Sequence, residues 1–181
     1  MIEKLAKYLR RCAENVRRFH RADRGATAVE FALIAPAFVA TLVALLQTCL
    51  FLFAQMALQN AAVQAGRYFM TGQAQNGSWT ASTVTNLVCP QYLFTCANLI
   101  LIVQNYASFA AANTSAPALY NANGQLLNNW AYDPGSPGDV MVVQIVYPWS
   151  VIGGPLGFTL ANLPNNGAEI MGVSAFRVEP Y

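Results

Sequence analysis

Between Phe31 and Gly66 the chain carries no charged side chain. The core of this run, FALIAPAFVATLVALLQTCLFLFA from Phe31 to Ala54, reaches the length of about 20 apolar residues that a bilayer crossing needs. Buried helices of water-soluble domains are usually shorter. Glu30 stands at the mouth of the run, where a carboxylate near lipid is costly. The apolar pattern continues into QMALQNAAVQAGRYFM, which is rich in helix formers and meets no breaker before Gly66 and Gly72. One helix from about Thr27 to Thr71 is expected, roughly 65 Å long and about twice the thickness of a bilayer core. Its second half must then stand outside the membrane.

Charge divides at the same point. Lys4, Lys7, Arg10, Arg11, Arg17, Arg18, Arg21 and Arg24 precede Gly25 against Glu3, Glu14 and Asp23, a net of +5. The remainder sets Arg67 and Arg177 against Glu30, Asp133, Asp139, Glu169 and Glu179, a net of −3. Positive charge before a span keeps the N-terminal side in the cytoplasm and sends the rest out. In the basic segment Ile2, Leu5, Leu9, Cys12, Val16 and Phe19 recur at steps of three and four. That pattern suits a cationic amphipathic helix on an anionic lipid surface, or equally a solvated leader with no specific partner. Asp23-Arg24-Gly25 interrupts it. The apolar run is longer than the stretch of about 7–15 residues in an ordinary signal peptide.

The span has two faces. On a helical wheel Glu30, Ala37, Thr41, Ala44, Thr48 and Gln55 fall within about 40° of one line. Val39, Val43, Leu46, Leu50 and Phe53 lie opposite. Small and hydroxyl side chains let helices approach closely in lipid, so Ala37, Thr41, Ala44 and Thr48 form an expected helix-packing face. Pro36 removes one backbone donor and is expected to bend the helix.

The order Gly25-Ala26-Thr27-Ala28-Val29-Glu30-Phe31 resembles the processing site of class IVb prepilins: a glycine, a cut, then glutamate fifth in the mature chain, followed by an aromatic. The wider stretch RGATAVEFALIAP, with LQNAAVQAGRY further on, resembles the TadE-like family of tight-adherence (Flp) pilus assembly proteins. A weaker echo lies in VVQIVYPW and FRVEPY. The resemblance implies a site made of Gly25, Ala26, Glu30 and Phe31, cut after Gly25 by a prepilin peptidase on the cytoplasmic face. It also implies a pilin-like α+β fold and a place in the bacterial inner membrane. The implied partners are other pilin and pseudopilin subunits, the inner-membrane assembly platform and the bilayer itself. Cleavage would create an α-amine at Ala26, largely protonated near neutral pH. Glu30 could pair with such an amine on a neighbouring helix, which lowers the cost of both charges near lipid. The bland alternative is a carboxylate that only snorkels to the interface.

The rest of the chain is large enough for a small exported domain. The expected divisions are a leader, 1–25, a long helix, 26–72, containing the span 31–54, and an α+β domain, 73–181. Strands are expected over Asn98–Tyr106, Asp139–Trp149 and, less cleanly alternating, Ala168–Pro180. DPGSPGD, Asp133–Asp139, is a turn before the second strand, and Asn76-Gly77 another turn. Ser82–Val88 reads as a short helix and Trp149–Leu163 as a helical or looped piece. Asn76-Gly77-Ser78 matches a glycosylation acceptor but carries little weight in a bacterial setting. These elements predict a small antiparallel sheet joined to the long helix.

Chemistry is limited by what is missing. Cys89 and Cys96 fall on the oxidising side and are expected to form a disulfide around CPQYLFTC. A zinc pair is disfavoured, because no histidine follows His20. Beyond Arg24 there is neither histidine nor lysine, so Ser-His-Asp, Cys-His and Ser-Lys sites cannot be built there. No catalytic residue, cofactor or metal is expected, and an acidic exported part argues against nucleic-acid binding. The expected role is a minor pilin or pseudopilin. The alternative is an uncleaved single-pass envelope scaffold or adhesin.

Overall fold

The computed structural model describes residues 23–154 and 157–180. The amphipathic pattern from Ile2 to Phe19 lies outside the described residues. The chain divides into two compact units, Met1–Leu45 and Leu46–Tyr181. Secondary structure begins with helix α1, Asp23–Met70. Short helices α2, Gln73–Asn76, and α3, Ala81–Val88, follow. Strands β1, Ile100–Tyr106, β2, Val140–Ser150, and β3, Gly167–Arg177, complete the list.

The first unit contributes the N-terminal part of α1. The helix already includes Asp23, Arg24 and Gly25, where the sequence suggested a break. Gly25 costs a helix about 1 kcal/mol relative to alanine, but alanines and other tolerant residues follow it. The helix also runs through Pro36 without interruption. Val29, Phe31, Leu33, Ile34, Phe38 and Leu42 are all exposed, and α1 is long and apolar enough to cross a membrane.

The second unit is a three-stranded antiparallel sheet in the order β1-β2-β3, with α1 from Leu46 onward on one face. β2 is central and covered on both sides, so VMVVQIV reads as a continuous apolar run instead of an alternation. Pro148 is tolerated because β1 ends opposite Val146, so nothing on that side needs its missing donor. Leu101, Val103, Met141, Val143, Ile145, Ile170 and Phe176 face the helix, which presents Ala54, Leu58, Ala61, Ala62, Ala65 and Phe69. The opposite face buries Ile100, Ile102 and Val146 beneath Leu119 and Trp130.

The ends of elements follow local chemistry. α1 stops at Met70, two residues before Gly72, whose φ of 74° suits a left-handed terminator. Its orphan carbonyls are met by Thr71 N–H on Arg67, Gly72 N–H on Phe69, and Glu179 N–H on Met70 at 2.9 Å. Thr80 caps α3 by accepting from Thr83 N–H. In the Asp133–Asp139 turn, Asp133 accepts from Gly135 N–H and Asp139 from Ser136 N–H. Asn76-Gly77 ends α2, and residues 151–154 and 158–162 form a loop without helix. Cys89, which ends α3, and Cys96, which opens the turn into β1, are joined in a disulfide with Cα atoms 5.7 Å apart.

Candidate functional site

Two places hold the residues that carry information: the mouth of α1 and the seam between α1 and β3. At the mouth, Gly25, Glu30 and Phe31 are exposed. A Cβ built on Gly25 would meet nothing within 4 Å. The backbone at Gly25 is thus helical, and among the described residues nothing crowds its Cα. A peptidase that needs an extended chain must first unwind this turn, and a glycine lowers the cost of doing so. Along the expected packing face Ala37 and Thr41 are exposed, and Thr41 donates its hydroxyl to the Ala37 carbonyl at 3.0 Å. That bond satisfies the hydroxyl within its own helix and leaves the face smooth.

Further along the same face another partner takes over. Gln55 donates from Nε2 to the Met171 carbonyl at 2.6 Å. One turn on, Gln59 donates to the Val173 carbonyl at 2.8 Å and accepts from Val173 N–H at 3.0 Å. β3 is an edge strand, and these groups are those that would otherwise invite another chain to pair. Gln59 thus stands in for a neighbouring strand.

The seam closes because two residues lack side chains. A Cβ on Gly172 would fall 2.9 Å from the Gln59 Cα and 2.8 Å from the Leu58 carbonyl carbon. A Cβ on Gly66 would fall 2.6 Å from the Ser174 Oγ. Helix backbone thus rests almost directly on strand backbone, which only glycine at the crossing permits. The sequence reading did not single out Gln59, Gly172 or Ser174. Glutamines four apart in an otherwise apolar helix were the available signal.

Elsewhere the second unit has an open groove of about 700 Å³ bordered by Thr85, Asn98, Leu101, Leu127, Trp130 and Tyr132. Its lining holds no acid, base or free thiol apart from the Tyr132 phenol. Burial raises the pKa of that phenol, and its hydroxyl donates to the Trp79 carbonyl at 2.6 Å. Glu169 has its pKa raised by burial, and its Oε1 is enclosed without a hydrogen-bond partner. Among the described residues no group of three His, Cys, Asp or Glu could hold a metal.

Residues 25–67 match the family model described as TadE-like protein, in agreement with the resemblance read from the sequence. The match covers most of α1 and leaves the sheet outside it. A match of this kind suggests a part in Tad pilus assembly. No curated protein and no solved structure matches the chain.

Proposed function

We propose that this chain is a minor pilin or pseudopilin of a tight-adherence (Flp) type IVb pilus. It is inserted with its N-terminus in the cytoplasm, cut between Gly25 and Ala26 by a prepilin peptidase, and assembled laterally through α1. The observation that carries the reading is Gly25 and Glu30-Phe31 at the mouth of an uncharged helix, within the stretch that matches the TadE-like model. Removing the leader takes away a net +5 and leaves an α-amine one turn from Glu30. Glu30 then pairs with the Ala26 amine of a neighbouring subunit and sets the axial register between helices. Ala37, Thr41, Ala44 and Thr48 supply the close-packing surface beside it. The role is non-catalytic. The sheet domain, larger than a shaft subunit made of little more than a helix would carry, favours an initiating, priming or tip position.

N-terminal sequencing of protein from native membranes tests this. The mature chain should begin at Ala26, and Gly25→Val should accumulate the full-length form. A full-length chain in cells with an active prepilin peptidase would overturn the reading in favour of an uncleaved single-pass scaffold or adhesin.

A further inference from the structure

The unit Leu46–Tyr181 has an end poor in charge, where Glu169, paired opposite Pro148, is the carboxylate nearest the tip. From Val140 to Ala168 no residue is ionisable except Tyr147, and none is charged on α1 from Phe31 to Gly66. The two stretches meet where β2 runs out. Gln47 donates from Nε2 to the Ile152 carbonyl at 3.2 Å. Leu50, Phe51, Trp149, Val151 and Leu160 gather around that bond. Beside them Phe94, Tyr147 and Trp149 stack edge to face or tilted, with centroids 4.9 to 6.3 Å apart. At the tip Ile152 is 79% exposed, and Leu50 on the helix is 50% exposed. An apolar tip backed by Trp and Tyr is the chemistry of a membrane interface, where such rings concentrate.

Position points the same way. The apolar span read from the sequence extends to Ala54, yet the sheet unit already grips the helix at Gln47. Seven residues of helix correspond to about 10 Å. The polar layer on one side of a bilayer is roughly 5–8 Å thick. About 10 Å exceeds that layer, so with the sheet seated the hydrocarbon ends near Gln47 and not at Ala54, which puts the turn at Ile152 at its border. It goes no deeper, because irregular backbone facing lipid tails would leave its polar groups unsatisfied. Among the described residues the turn's backbone is tied by Val151 N–H on Asn166, Gly154 N–H on Phe158 and Gln47 on the Ile152 carbonyl.

We infer that the turn bearing Ile152, with Trp149, Val151 and Leu160, is a second lipid contact of this chain, seated in the interface beside the exit of α1. It limits how far α1 sinks and holds the sheet unit against the bilayer until the subunit leaves the membrane. The inference rests on the reading of α1 as a membrane span, so its test reports on both.

The full chain with Cys12→Ser and Cys49→Ser, keeping the Cys89–Cys96 bond, is labelled with an environment-sensitive fluorophore at Ile152→Cys, Phe38→Cys or Ala175→Cys. Each protein is placed as one copy per lipid nanodisc containing nitroxide lipids. All three positions are exposed, so the variants should fold. The Ile152 label should emit to the blue and be quenched several-fold more by a nitroxide near the headgroup than by one near the chain end. The Phe38 label should be quenched by the deep nitroxide, and the Ala175 label by neither. Quenching at Ile152 no greater than at Ala175, with Phe38 still quenched, overturns the lipid contact and leaves the span standing. An unquenched Phe38 label overturns both. Shielding of Ile152 that appears only with two copies per disc makes the occupant a second chain and overturns the inference.

Discussion

Gly172→Ala should loosen the seat of α1 on the sheet more than any other single methyl addition to the seam. The new Cβ would lie 2.8 Å from the Leu58 carbonyl carbon and 2.9 Å from the Gln59 Cα. Carbon atoms in contact prefer about 3.5–4.0 Å, so helix and strand must part by roughly 0.6–1 Å. No side-chain rotation relieves the clash, because both opposing atoms belong to the helix backbone. Leu58, Ala62 and Ala65 are fully buried beside it, so parting also opens packed core. Overpacking of this kind costs about 1–3 kcal/mol. The two Gln59 bonds to Val173 stretch with it, at about 0.5–1.5 kcal/mol each. The lower chain entropy of alanine when unfolded returns up to about 1 kcal/mol. A net loss of roughly 2–4 kcal/mol is expected, a large share of the ~5–15 kcal/mol that holds a typical domain together. Urea unfolding of the full chain in mild detergent, followed by tryptophan fluorescence, measures it. Hydrogen exchange at the Val173 amide measures the clamp itself. Gln59→Ala in the Gly172→Ala background should cost less than Gln59→Ala alone, since the clamp is already strained. An unchanged midpoint with a protected Val173 amide would refute the argument, as would strict additivity of the two substitutions.

Gly66→Ala should cost less than Gly172→Ala: the Ser174 hydroxyl its new Cβ meets can rotate, Ser174 Cβ at 3.1 Å and the Phe176 ring at 3.2 Å need shift by only a few tenths of an ångström, and alanine adds up to about 1 kcal/mol of helix propensity. A loss as large as that of Gly172→Ala in the same urea assay would contradict this. Replacing Cys89 and Cys96 with serine should cost about 2–3 kcal/mol by loop entropy, and the wild-type midpoint should fall similarly in reductant. Because burial raises the Glu169 pKa, the folded state binds that proton more tightly than the unfolded one, so stability falls as pH rises through the raised value. Glu169→Gln should therefore gain stability at neutral pH, less than about 1 kcal/mol after solvent screening, and the gain should vanish below about pH 4. Glu30→Ala and Glu30→Gln should be inserted and cleaved but fail to support pili; normal piliation by both would reduce Glu30 to a snorkelling anchor.

What the sequence determined by itself is what depends on local pattern. The uncharged run after Glu30 dictated one long apolar helix, since nothing interrupts it before Gly72. The β-branched runs dictated three strands, each within two or three residues of its observed ends, because their periodicity and flanking turns are local. β1 was overread by Asn98-Leu99 at its start, and β3 by Val178–Pro180 at its tail. The pattern at the mouth of the helix, on which the proposed processing site rests, is local in the same way: Gly25, Glu30 and Phe31 are separated by short steps along one chain. Tertiary structure alone decided the seam. Gln59 and Val173 lie 114 positions apart, and so do Gln59 and the strand edge it protects. Gly172 looks like an ordinary weak point in a strand until a helix backbone is laid against it. Polarity in a sequence signals that a glutamine needs partners, but which partners depends on where a distant strand is brought by the collapse of its apolar face. The same holds at Gln47 and Ile152, where the end of the sheet meets the helix at a height that no local pattern encodes.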